Sequence, residues 1–421
     1  TGGIDTLDYS AYTTPVYASL TGGIATGVTG GVSSFENVIG SLTGGNIFYG
    51  DDSDNNFSGG SGDDTFIGYG GNDTYIFDAD SPLGSDTIDE QTGGNGIDTI
   101  IFSDTTALGI TINLSTLGSA QVVNSNLTLT LLGTLENVVG TPLGDNITGN
   151  ASANLIIGGA GDDSLNGQGG NDTYIFDDGW GADTLNDTGG LDVLDFRTVT
   201  TDITFNINSA SLSITDGSNS VAQSGGNSFD SFLGGSGNDT FIFGDGLSLI
   251  GVVDGNQGVN TLSLAAFTTR RSVMLTGYGV DAGFSGTDLS IPNGFFNITN
   301  LTGGSATNDA LFGLNTASTW NLDGSNTYTA GNHTLNFASF ENLTGGSDTD
   351  VFTITDAQPH ILVGNAGDDS LIFNDDAVLI GSFDGSSDDD TIDFSRYTTS
   401  RDVVLTSLGL TDGFSGTATG I

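Results

Sequence analysis

The 421-residue chain contains no cysteine and no lysine. No disulfide, thiolate nucleophile or cysteine metal ligand is therefore available. Its five basic residues are Arg197, Arg270, Arg271, Arg396 and Arg401, set against 52 acidic ones, for a net charge of −47. Without a basic surface to neutralise phosphates, nucleic acid is not expected as a partner. Glutamate is scarce as well: Glu36, Glu90, Glu136 and Glu341 are the whole supply. The remaining acids are Asp, the shorter carboxylate that suits tight turns and hard cations. There are two histidines, His333 and His360, and neither lies near a Ser or Cys elbow. No catalytic constellation is visible, and the chain is not expected to be an enzyme. No apolar run reaches the ~18 residues that a membrane-spanning helix needs, so membrane insertion is not expected. The chain begins with Thr and shows no export signal, which reads as a precursor whose N-terminus is missing.

Glycine is abundant, at 68 residues, yet 36% of the chain is hydrophobic. The apolar residues are Ile, Leu, Phe and Val in short alternating runs, as at 110–114, 127–132 and 203–207. Such a chain folds, and with only 5 Pro and many β-branched residues it folds as strands. It repels itself strongly unless cations bind.

Four consecutive nine-residue units run from Ser41 to Ile76. The clearest is Gly59-Gly60-Ser61-Gly62-Asp63-Asp64-Thr65-Phe66-Ile67, followed by Gly68-Tyr69-Gly70-Gly71-Asn72-Asp73-Thr74-Tyr75-Ile76. The pattern is G-G-x-G-x-D-x-U-x with U apolar, the nonapeptide of a calcium-binding parallel β-roll. A second block runs from Gly140 to Ile175, offset by 99 residues. Shorter matches follow: 225–242, with Asp230 and Asp239 in the sixth place, single units at 345–353 and 364–372 with Asp350 and Asp369, and a degenerate one at 304–312 with Asp309. Residues 234–291 also align without gaps on 364–421, an offset of 130. The chain thus reads as a segment of a longer repetitive protein, although natural ends with atypical terminal units would look the same.

The first six residues of a unit make a turn and the last three a short strand whose U residue points inward. Two nonapeptides close one turn of a solenoid, so equivalent loops stack every eighteen residues, about 4.8 Å apart. A cation between stacked loops can then take oxygens from both. Calcium accepts six to eight oxygens in flexible geometry, whereas magnesium wants strict octahedra and zinc wants His or Cys. The spacing pairs Asn46 with Asp64 and Asn55 with Asp73, then Asp145 with Asp163 and Asn154 with Asp172. Asp145–Asp163 is the pair with most charge, and Asp239 and Asp369 are further candidates. Asp and Asn also favour turns without any metal, and that plainer reading applies most to the isolated units. His360 falls in a sixth-place slot, where it substitutes for a lost ligand. Trp180 and Trp320 could stack on sugars or pack within the solenoid, and Arg270–Arg271 reads as a solvated turn or, alternatively, as a contact for an acidic neighbouring subunit. Thirteen N-x-S/T sequons, Asn126 and Asn300 among them, leave glycosylation open.

These tandem units resemble the RTX, or haemolysin-type, calcium-binding repeat family. The resemblance covers a quarter to a third of the chain and rests on 50–76 and 149–175. It implies a right-handed parallel β-roll, and a secreted protein that folds on meeting calcium outside the cell. It assigns the metal to Asp64, Asp73, Asp163 and Asp172 with their partners two units away. The long spacers and the lack of a visible C-terminal secretion signal depart from the family. The interspersed pattern is similar to giant bacterial surface or matrix proteins built of β-strand repeats.

The expected fold is all-β: an elongated parallel β-roll or β-helix solenoid, on the order of 100 Å long, with interspersed β spacer modules. Its expected segments are 1–40 (partial spacer), 41–78 (first block), 79–139 (spacer), 140–177 (second block), 178–224 (spacer), 225–354 (the 130-residue repeat) and 355–421 (its incomplete second copy). The expected function is a calcium-binding, extracellular structural segment of a cell-surface fibre, surface layer or adhesin, self-associating end to end. The alternatives are the repeat region of a secreted hydrolase whose catalytic domain lies elsewhere, and a glycan-binding adhesin.

Overall fold

The computed structural model describes residues 3–91, 96–224, 228–280, 282–409 and 413–418. Residues 225–227, where the third nonapeptide match begins, 281 in the 130-residue repeat, and 410–412 and 419–421 in its incomplete second copy lie outside them. No helix occurs among the described residues, and the chain is an all-β solenoid of short parallel strands. It divides into two compact units, one of residues 1–196 with 217–224, the other of 197–216 with 225–421.

In the first unit one parallel sheet runs unbroken from Thr6–Asp8 through Asn37–Ile39, Asn56–Ser58, Thr74–Ile76, Thr99–Ile101, Asn137–Val139, Leu155–Ile157 and Thr173–Ile175 to Val193–Asp195. The opposite face begins with Tyr17–Ser19, Ile47–Tyr49, Thr65–Ile67, Gly84–Asp89 and Leu127–Leu132. A second sheet takes over with Thr111–Asn113, Asn146–Thr148, Ser164–Gln168, Ala182–Asp187 and Ser220–Ser224. Within the blocks the register step is eighteen residues, Ile47 on Thr65 and Leu155 on Thr173. At the block ends it lengthens, to Thr65 on Thr87 and Thr74 on Thr99.

A three-residue strand has one inward position, and the sequence puts an apolar residue there each time. Phe48, Phe57, Phe66, Tyr75, Ile147, Ile156, Leu165 and Tyr174 are all buried. Phe66 stands 5.8 Å from the ring centres of both Phe48 and Tyr75, and 6.1 Å from Phe57. Each such side chain contributes about 1.5–3 kcal/mol on burial. Trp180 is buried in this core and Trp320 in that of the second unit, so neither is available to a sugar.

The glycines meet a different need. Gly60 (φ +94°) and Gly62 (φ +120°) lie in the left-handed region, and a Cβ on Gly62 would fall 2.4 Å from the carbonyl carbon of Gly44 in the loop below. Stacked turns approach backbone to backbone at these points, so no side chain fits.

The spacers are not purely parallel. In the second unit His333–Ala338 pairs parallel with Asn300–Thr302 and antiparallel with Thr327–Ala330, which pairs antiparallel with Ser318–Leu322. Ser318–Leu322 then pairs parallel with Asp350–Ile354. Ile291–Ile298, Phe284–Asp288 and Ser272–Tyr278 form the same kind of insert. It joins Val253–Asp254 on one side to Ala310–Phe312 on the other, both parallel. An odd number of antiparallel strands restores the strand direction, so the insert lengthens the stack without breaking it.

Candidate metal centres

Each nonapeptide turn delivers its sixth residue to the same place on the loop edge, and the stacked register lines these residues up. Their link is a repeated hydrogen bond. The backbone N–H of one slot residue donates to Oδ1 of the residue one turn above: Asn46 to Asp64 (2.5 Å), Asn55 to Asp73 (2.8 Å), Asp145 to Asp163 (2.8 Å) and Asn154 to Asp172 (2.7 Å). All four sequence-derived pairs are therefore brought together. The row continues upward past the nonapeptides, since Asp64 N–H donates to Asp86, Asp73 to Asp98, Asp163 to Asp183 and Asp172 to Asp192.

The second carboxylate oxygen separates two kinds of slot. At the foot of three stacks it is closed by the loop's own backbone, whereas Asp309, which likewise accepts from a non-slot residue below it (Arg271 N–H), keeps Oδ2 open. Asp145 Oδ2 accepts from Thr141 N–H (2.6 Å), Asp239 Oδ2 from Gly235 N–H (2.7 Å) and Asp350 Oδ2 from Gly346 N–H (2.6 Å). Higher up it is open. Oδ2 of Asp64, Asp73, Asp163, Asp172 and Asp369 is buried and has no hydrogen-bond partner. These oxygens turn back over the first glycine of their own loop, where a Cβ would lie 2.1 Å from Asp64 Oδ2 at Gly59 and 2.2 Å from Asp163 Oδ2 at Gly158. The first glycine is thus required by the carboxylate and not by backbone conformation.

A buried acceptor without a donor is costly, and a buried charge more so. Burial pushes the carboxyl of Asp64 up to about 6 and those of Asp73, Asp163 and Asp172 to about 7. It pushes Asp86 and Asp183 up to about 8. Backbone N–H donors oppose the shift but are outweighed by the loss of water. An oxygen-seeking cation relieves both costs, so the donor set fits calcium. The charge-rich Asp145–Asp163 pair brings only one open oxygen, because Asp145 is saturated by Thr141 and by Ile110 N–H. Asp239 is saturated in the same way by Ile203 N–H and Gly235 N–H, whereas Asp369 keeps its open oxygen.

The rarest acid has a place of its own. Glu36, Glu136 and Glu341 each follow Phe or Leu and precede Asn. Each carboxylate reaches one turn down to accept the N–H of Asp5, Asp98 or Asp309, at 2.8, 2.9 and 2.9 Å. The Glu and Asn amides meanwhile both donate to that aspartate's carbonyl oxygen, as at Asp98 and Asp309. The longer side chain spans a turn that begins with a bulged step, where Asp would fall short. His360 stacks one turn above Glu341 through Ile361 N–H to Glu341 O. It is buried, which lowers its imidazole pKa.

Glu90, Asp98, Asp187 and Asp192 were missed by the nonapeptide spacing. Asp73, Glu90 and Asp98 bring carboxylate oxygens within 4.8 Å of one another, and Asp172, Asp187 and Asp192 do the same. The Tyr75 hydroxyl donates to Glu90, and the Tyr174 hydroxyl to Asp187 (2.6 Å). The signal present in the sequence was a triplet of Asp, a β-branched residue and an apolar one, as in Asp98-Thr99-Ile100 and Asp192-Val193-Leu194, detached from any glycine-rich turn.

A family model described as the RTX calcium-binding nonapeptide repeat (4 copies) matches residues 43–81, 139–174 and 224–247. No curated protein matches the chain. The chain thus carries RTX calcium-binding repeats over these residues, within an all-β solenoid, and their cofactor is calcium.

Proposed function

We propose that this chain is a calcium-rigidified structural segment of an extracellular fibre, surface layer or adhesin, without catalytic activity of its own. The observation that carries this reading is the file of buried carboxylates with open oxygens in both blocks. Five arginines cannot neutralise 52 acids, so the charge must be met by protons or by cations from the medium. Calcium at the millimolar level found outside cells meets it, which ties rigidity to secretion. Occupied sites cross-link successive turns and resist unwinding along the stack. The repetitive β architecture serves length and stiffness, and the open carboxylates serve the metal.

End-to-end self-association is part of the proposal. A stack of short parallel strands carries its backbone N–H and C=O groups along the stacking axis, which supports association by strand addition.

The test is a calcium titration of EDTA-treated protein followed by far-UV circular dichroism and light scattering together. A rise in β signal with growth into rods or filaments is expected. A β signal complete in EDTA would remove calcium from the account of folding, and folding without growth would remove self-association.

A further inference from the structure

We propose that Asp73, Glu90 and Asp98 beside Tyr75, with Asp172, Asp187 and Asp192 beside Tyr174, form a second class of calcium site that closes each nonapeptide block. This goes beyond the fibre reading and does not depend on it. The nonapeptide supplies only the first member of each triad. The others come from the longer turn that follows, at 17 and 25 residues in the first block and 15 and 20 in the second. The two turns therefore differ in length and in the middle acid, Glu in one and Asp in the other, yet both converge three carboxylates within 4.8 Å.

Two observations point to a ligand. Asp73 and Glu90 are 1% and 6% exposed, and Asp73 Oδ2 and Glu90 Oε2 have no hydrogen-bond partner. In the second block Asp172 Oδ2 is open in the same way. The space is also kept clear. A Cβ on Gly68 would lie 2.3 Å from Asp73 Oδ2, 2.3 Å from Glu90 Oε1 and 2.4 Å from the Tyr75 hydroxyl. At Gly167 it would lie 2.1 Å from Asp172 Oδ2 and 2.6 Å from the Tyr174 hydroxyl. The donors are carboxylate and phenol oxygens only, which suits a hard cation. In each block the tyrosine fixes the middle carboxylate by donating to it, and in the first block Glu90 Oε2 is left for the ion.

The test uses the full chain and its Glu90→Gln and Tyr75→Phe variants. Calcium stoichiometry is measured by equilibrium dialysis, and terbium luminescence is excited through tyrosine. Glu90→Gln keeps an acceptor for Tyr75 and is expected to lower the stoichiometry by one ion per chain. It should also remove the fraction of tyrosine-sensitised emission that Tyr75→Phe removes. The β signal in saturating calcium should remain, because Asp64 and Asp163 are untouched. Should Glu90→Gln fail to fold, Asp187→Asn poses the same question in the second block. Unchanged stoichiometry and emission in a folded variant would overturn the proposal and leave the triad as a proton-sharing cluster. Loss of calcium-dependent folding in the unmodified chain would instead strike the reading of the nonapeptide rows.

Discussion

Replacing Asp163 by Asn should change stability in opposite directions with and without calcium. Asp163 is 2% exposed, takes the Asp145 N–H on Oδ1 at 2.8 Å and leaves Oδ2 open. An amide is tolerated in such a slot, since Asn154 stands at the foot of the neighbouring row of the same block and donates its own N–H upward at 2.7 Å. Burial holds the Asp163 carboxyl near 7, against an ordinary value of 3.8. Each pH unit between the two is worth about 1.4 kcal/mol, so ionised Asp163 costs the metal-free fold about 2–4 kcal/mol at pH 8 once relaxation of its neighbours is allowed for. Asn removes that cost. In EDTA at pH 8 the urea midpoint of Asp163→Asn should therefore rise above that of the parent, and at pH 5, between the unfolded value of 3.8 and the folded value of about 7, the gain should shrink by about half or more. In saturating calcium the order should reverse, because a charged ligand is gone, and calcium affinity should fall at least tenfold, or about 1.4 kcal/mol. The readout is a set of urea melts by circular dichroism at two pH values with and without calcium. A variant destabilised equally under all four conditions would refute the argument and make the carboxylate a plain turn former.

Further outcomes follow from the same geometry. The metal-free protein should be more stable at pH 5 than at pH 8. Carboxyls raised to about 7 and 8, such as Asp172 and Asp183, favour folding when protonated, and that contribution is lost as pH climbs through those values. Denaturation in EDTA across this range checks the sign, and calcium should abolish or reverse it. Phe66→Ala should cost about 3–5 kcal/mol with or without calcium, because it empties the centre of the ring stack; thermal melts in both states measure it. Gly161→Ala should cost more than about 2 kcal/mol, since φ is +107° and the new Cβ would lie 2.5 Å from the Leu143 carbonyl carbon. Glu136→Ala strands the Asp98 N–H, and should cost about 1–3 kcal/mol and speed amide exchange at Asp98, read by hydrogen exchange.

The sequence alone determined the period of the solenoid, the inward residues and the pairing of slots eighteen apart. A nine-residue unit with one apolar position admits only one way to bury it, and glycine at fixed places marks where loops touch. It also determined the metal, through abundant Asp and the absence of cysteine. Three things waited for the tertiary structure. Which carboxylates stay open depends on whether a loop N–H such as that of Thr141 or Gly235 reaches the second oxygen, and that differs from loop to loop. The triads at the block ends depend on turns of irregular length, where sequence spacing no longer reports spatial register. The antiparallel inserts look like any other strands in sequence, because alternation is the same for both pairings, and only the register shows that three such strands keep the parallel stack in step.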